Sequence, residues 1–228
     1  MHLTSYENAR RFQETYLATN GDSVAEIGSQ VVEGQASLRT LFKDCQYTGF
    51  DFCAGKGVDV ILDDPYSIPA EDNSFERVIS SSCFEHSEFF WLSFLEMARI
   101  CRDGGLIYIQ APSNGKFHRY PVDCWRFYPD SGMALQKWGE YNGVNITLLE
   151  SFTTFQESDC WNDFVAIFAK GSNANTNHKK RILHTLKNFT NGVMNGKNEI
   201  LQPTESTEDM ARRSIATSVA NGSMSVHW

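Results

Sequence analysis

The sequence predicts an α/β fold: a doubly wound, mostly parallel seven-stranded sheet with an antiparallel last strand and a flexible C-terminal tail. Three observations carry this. Short apolar, β-branched runs alternate with helical or loop segments over residues 5–112. Two further apolar runs, at 145–155 and 163–170, follow a short helical stretch. Composition then turns polar from Gly171. Alternating strands and helices bury both faces of a parallel sheet, which is the basis of the class.

SYENARRFQETYL (5–17) places Tyr6, Ala9, Phe12 and Tyr16 at helical spacing. Asn20-Gly21-Asp22 is a turn signal. SVAEIG is the first strand, and GQASLRTLFK (34–43) reads as a helix. YTGFDF (47–52), VDVIL (58–62) and ERVISS (76–81) are the next three strands. EFFWLSFLEMARIC (88–101) is amphipathic with helical period, and Asp103-Gly104-Gly105 ends it. LIYIQAP (106–112) is the fifth strand and MALQKW (133–138) a short helix. NITLLESFTTF (145–155) and DFVAIFAK (163–170) are the last two strands, paired as an antiparallel hairpin.

This gives a domain over 1–170. A mildly basic tail over 171–228 is expected to be largely disordered or loosely attached, apart from a short basic helix in HKKRILHTLKNF. Net charge is −8, with −11 in the body and +3 in the tail, so binding nucleic acid through a broadly basic surface is not expected. No run approaches the ~18 apolar residues of a membrane span. The six cysteines form no CxxC pair, and no His or Cys cluster has zinc spacing, so no metal is expected. A cytoplasmic protein with free thiols follows, as monomer or homodimer.

In an open α/β sheet, ligands bind beyond the carboxyl ends of the strands. The first strand ends in Glu26, Gly28 and Ser29, where a glycine lets backbone approach a ligand closely. The second ends at Asp51, placed to accept hydrogen bonds from two ribose hydroxyls. The third ends in Asp63-Asp64-Pro65, and the fourth in SSSCFEHSE, which turns Glu85 and His86 to the cleft.

In that order, the ends resemble the class I S-adenosylmethionine-dependent methyltransferases, over residues ~20 to 170. The small methyltransferase-domain group that acts on diverse small acceptors is the most similar. The resemblance implies S-adenosylmethionine as cofactor. It assigns Glu26, Gly28 and Ser29 to the methionine part, Asp51 to the ribose, and Asp64 and Pro65 to the adenine. It sets Ser82, Cys83 and Phe84 beside the methyl-transfer site, with His86 just beyond. SQVVEG stands where the family has a G-x-G loop.

APSNGKFHRYPVDCWRFYP (111–129) follows the fifth strand and is dense in chemistry. Polar, aromatic loops held by a rigid sheet tend to carry function. His118, His86 and Asp123 are candidate bases for a hydroxyl acceptor, and Arg119, Tyr120, Trp125 and Arg126 candidate acceptor contacts. A structural reading of the same loop is an Arg–Asp brace. The expected reaction is methyl transfer to a small-molecule hydroxyl, amine or carboxylate, such as a sugar or acidic metabolite. The alternatives are a cofactor-binding scaffold without catalysis and an NAD-dependent oxidoreductase. For the latter, no Tyr is followed by Lys at a four-residue spacing.

Overall fold

The computed structural model describes residues 2–156, 160–172 and 178–224. Helix α1 (Leu3–Tyr16) leads into β1 (Ser23–Ile27), β2 (Gln46–Asp51), β3 (Val60–Ile61) and β4 (Phe75–Ser81). Helix α2 (Phe90–Ile100), β5 (Cys101–Pro112) and α3 (Asp130–Tyr141) follow. Then come β6 (Ile146–Thr154), β7 (Asp163–Lys170), β8 (Phe189–Met194) and α4 (Glu208–Ala220).

The strands form one sheet in the order β3-β2-β1-β4-β5-β7-β6-β8. Strands β1 to β5 pair in parallel. β7 runs antiparallel to both β5 and β6. The strand period of two sorts side chains onto two faces. On β5, Ile107, Ile109 and Ala111 join the layer of α2, while Leu106 and Tyr108 join that of α1. On β7, Phe164, Ala166 and Phe168 take the first face and Val165, Ile167 and Ala169 the second. Both faces are thus dry. Each large side chain so buried contributes about 1.5–3 kcal/mol, which anchors the strand ends that form the site.

The structure changes several expectations. Residues 34–43 are not an α-helix but hold one 3₁₀ turn at Leu38–Leu41. Only Leu38 and Phe42 are anchored in the core there, too few to stabilise a longer helix. The third strand shrinks to two residues at the sheet edge. Most consequentially, the sheet does not end before Gly171. β8 pairs antiparallel with β6, so part of the expected tail is an eighth strand.

Burial explains that strand. Ile182, Leu183, Phe189 and Met194 pack into the cluster of Ala9, Phe12 and Tyr16. The buried Glu150 carboxylate ties the same elements together. It accepts from the Tyr16 hydroxyl at 2.5 Å and from the backbone N–H groups of Ile182 at 2.8 Å and Leu183 at 2.9 Å. The expected basic helix is only a 3₁₀ turn at Ile182–His184. Helix α4 buries none of its residues; its Glu208 accepts from Gln156 N and Asn162 Nδ2 at 2.7 and 2.5 Å. Of the expected tail, residues 173–177 and 225–228 lie outside the described residues.

Candidate functional site

Strand order reverses between β1 and β4, and a cleft of about 490 Å³ opens at their carboxyl ends. That is the ordinary place and size for a ligand site in such a sheet. Gly28 has φ +81, and a Cβ there would meet Cys83 Cβ at 2.5 Å. Only glycine allows both the conformation and the close approach of the two strand ends. Ser82 is left-handed, at φ 52, and its N–H donates to Gln110 O at 3.0 Å. Desolvation pushes the Cys83 thiol up to about 12, so it is no nucleophile near neutral pH.

At one end of the cleft, Asp51 is nearly buried and accepts from two backbone N–H groups, Gln30 at 3.0 Å and Cys53 at 3.1 Å. These bonds fix the carboxylate and leave lone pairs for a ligand hydroxyl. Leu62, Pro65 and Tyr66 form an apolar wall beside it. Glu26 is turned to Tyr47, whose hydroxyl donates at 2.6 Å, and burial raises its carboxyl to about 7. Ser29 Oγ is buried with no hydrogen-bond partner among the described residues. Asp64 departs from expectation. It is exposed, lies outside the cleft lining, and accepts from Tyr66 N at 2.9 Å in its own turn.

At the other end, Glu85, His86 and His118 come together, with one ligand atom of each within 4.8 Å of the others. The sequence spacing had suggested no such group, because 32 residues separate His86 from His118. His86 Nδ1 is 2.5 Å from Val122 O, and His118 Nδ1 is 3.2 Å from Lys116 O. A carbonyl only accepts, so in each neutral ring the proton sits on Nδ1 and Nε2 is bare. Burial lowers the His86 pKa, favouring the neutral ring. Glu85 is 1% exposed, and burial pushes its carboxyl up to about 8.

The loop after β5 divides its labour. Asp123 is not the free base the sequence suggested. Arg126 grips it through two bonds, at 2.6 and 2.9 Å, and His118 N donates to it at 2.6 Å. The Arg126 guanidinium holds the carboxyl at about 2. Asp123 therefore positions His118, whose Nδ1 lies 3.3 Å away. Arg126 is that brace and lies outside the cleft lining. Trp125 lies outside it too. Its indole donates to Ser87 O at 2.9 Å, and its ring packs edge-on against Phe90. Arg119 and Tyr120 do line the cleft. The Tyr120 hydroxyl donates to Gln30 Oε1 at 2.8 Å, spanning from the loop to the first turn.

Sequence reasoning missed His2 and Trp161, which line this end and stack at 5.5 Å. No strand-end or spacing signal marks either. Gln30 was also missed, since it stands where a glycine was sought.

Residues 25–109 match the family model described as a methyltransferase domain. That stretch, less than half of the chain, is similar to methyltransferase domains. Solved structures agree on the fold. One is a 1,6-didemethyltoxoflavin-N1-methyltransferase from Burkholderia thailandensis, with S-adenosylhomocysteine bound. It is 13% identical, with TM-score 0.57, over 74% of this chain and 79% of that one. A second is the methyltransferase partner of the Trm112 activator from Haloferax volcanii. It is 16% identical, with TM-score 0.51, over 75% and 91%. A phosphoethanolamine N-methyltransferase from Haemonchus contortus is 13% identical, with TM-score 0.51, over 73% and 52%. At these identities the likeness is one of fold. The search of curated proteins returns no match.

At the cradle the residues present fit the S-adenosylmethionine expected from the sequence. Gly28 leaves no side chain where β1 meets β4, and the Asp51 carboxylate is pinned beside an apolar wall. The Gln30 side chain, which also donates to Ala54 O at 3.1 Å, fills space that a G-x-G loop would leave open. No helix among the described residues is long and apolar enough to cross a membrane.

Proposed function

We propose that the domain methylates a hydroxyl group of a small-molecule acceptor. One observation carries this reading: the cleft that holds Asp51 at one end brings Glu85, His86 and His118 together at the other. When bound, S-adenosylmethionine supplies an electrophilic methyl group, a new O–CH₃ bond replacing the S–CH₃ bond whose electron pair stays on sulfur. Asp51 would hold the ribose hydroxyls, Leu62 and Tyr66 would flank the adenine, and Gly28 would face the methionine part. A hydroxyl needs a proton acceptor, which an amine or carboxylate does not. Nε2 of His118, positioned by Asp123, supplies one. Arg119 at the cleft favours an acidic acceptor. The remaining task of the protein is alignment at near-attack distance.

The test has two parts. Calorimetry with S-adenosylhomocysteine should show binding to the full chain. Labelled methyl transfer into fractionated metabolites should then yield a base-stable ether. Label on nitrogen or in a base-labile ester would overturn the hydroxyl reading. Binding without any transfer would favour a scaffold.

A further inference from the structure

The two bare imidazole nitrogens and the neighbouring carboxylate suit a second ligand. We propose that Glu85, His86 and His118 form a binding site for one divalent transition-metal ion, with an open coordination position turned to the cleft. The inference rests on the proposed function only for the ion's purpose, not for its binding.

Three independent features support it. First, the donor set is two imidazoles and one carboxylate, a set that zinc and iron(II) take with a position left for water or substrate. Second, both rings are oriented from behind. Val122 O takes the His86 Nδ1 proton at 2.5 Å, and Lys116 O with Asp123 takes that of His118 at 3.2 and 3.3 Å. Metal-bound histidines are held in this way, the outer acceptor fixing the tautomer and aiming the other nitrogen. Third, Glu85 Oε2 is fully buried and has no hydrogen-bond partner among the described residues. A buried carboxylate with an unpartnered oxygen is costly, and a cation held by its other oxygen, Oε1, which faces His86 Nε2, offsets part of that cost.

The geometry is close to what an ion requires. Bonds of 2.0–2.1 Å at tetrahedral angles set ligand atoms about 3.3 Å apart. Glu85 Oε1 and His86 Nε2 are 3.6 Å apart. With no ligand pair in the group wider than 4.8 Å, closure asks His118 to move in by roughly 1–1.5 Å. His118 lies on the loop after β5, whereas Glu85 and His86 sit in one 3₁₀ turn. That turn is anchored to the loop where Cys124 N donates to Glu85 O at 2.7 Å. An ion here would lower the pKa of an acceptor hydroxyl bound to it, and the proton would leave to solvent water. With the ion bound, His118 Nε2 has no free lone pair, so the ion replaces that nitrogen as the group that activates the hydroxyl.

The experiment uses the full chain, freed of metal by chelation, with cobalt(II) as spectroscopic probe and zinc(II) in calorimetry. One equivalent should bind, giving visible d–d bands that shift when azide takes the open position. Glu85→Gln and His86→Ala should each weaken binding by at least tenfold. Thermal melts of both variants show that they are folded. Cys53→Ser, remote in chemistry from the site, should bind like the parent. Absence of binding to the parent overturns the proposal. So does binding unaltered in both folded variants, or intense thiolate-to-cobalt charge transfer, which would place the ion on cysteine. Bands unmoved by azide would overturn the open position. Because S-adenosylhomocysteine affinity is measured separately, failure of the metal site and failure of the methyltransferase reading are distinguishable.

Discussion

Asp123→Asn isolates the brace within the loop after β5. The Asp123 side chain is 2% exposed, and its partner Arg126 is 24% exposed, so the pair is largely shielded from water. A carboxyl held at about 2 instead of the ordinary 3.8 favours the folded state by about 2 kcal/mol at neutral pH. The sign follows from the depressed pKa. The contribution is complete above pH about 5, where unfolded and folded carboxyls are both ionised. It is lost as pH falls through about 2. Asparagine keeps the shape but removes the charge. For a chain of this size, ~2 kcal/mol corresponds to about 4–8 °C in Tm. Thermal melts of parent and variant between pH 7 and 2.5 should show this gap at pH 6 and its narrowing below pH 4. Arg126→Ala should lower Tm comparably, and the double variant should fall by less than the sum, because the two share one interaction. S-adenosylhomocysteine affinity should change by less than twofold. An unchanged Tm at pH 6, or a gap that is constant with pH, would refute the brace.

Asp51→Ala should weaken S-adenosylhomocysteine binding by about 1–3 kcal/mol, read by calorimetry, since it removes a charged acceptor for two hydroxyls; unchanged affinity in the folded variant would remove Asp51 from the site. Phe189→Ala should cost about 3–5 kcal/mol in urea unfolding, as Phe189 is 3% exposed, and truncation after Lys170 should give aggregated protein. A soluble, binding-competent truncation would contradict the structural role of β8. Cys83 should alkylate far more slowly than exposed Cys53 at pH 8, because burial holds its thiol near 12; peptide mass spectrometry reads the two rates.

What the sequence reveals and conceals has physical causes. Strands β1, β4, β5 and β7 are legible because period-two apolar runs between helices have few other ways to fold. Gly28 and Asp51 are legible because they end such runs. Residues 189–194 read FTNGVM, whose Asn191-Gly192 is a turn signal, and only Phe189, Gly192 and Met194 are buried. An edge strand stabilised by contacts with α1, far away in sequence, leaves no local pattern. Asp64 shows the reverse error. An acidic residue at a strand end looks like a ligand contact, yet its nearest unsatisfied donor is Tyr66 N in its own turn. The loop after β5 was recognisable as dense in chemistry, but not its division into Arg126 as brace and His118 as cleft residue. That depends on which side chain reaches Asp123 first.

The seating of β8 and Glu150 sets an order of events during synthesis. The chain leaves the ribosome from its N-terminus, so α1 emerges before the strands. Yet Tyr16 finds Glu150 only after β6 is made, and Glu150 gains its last donors from Ile182 and Leu183. Until those residues arrive, a carboxylate waits half-partnered and β6 presents a bare edge to other nascent chains. The first helix is therefore locked by nearly the last strand. Such long-range closure slows folding. Pausing of translation between residues 170 and 194 would expose this protein most.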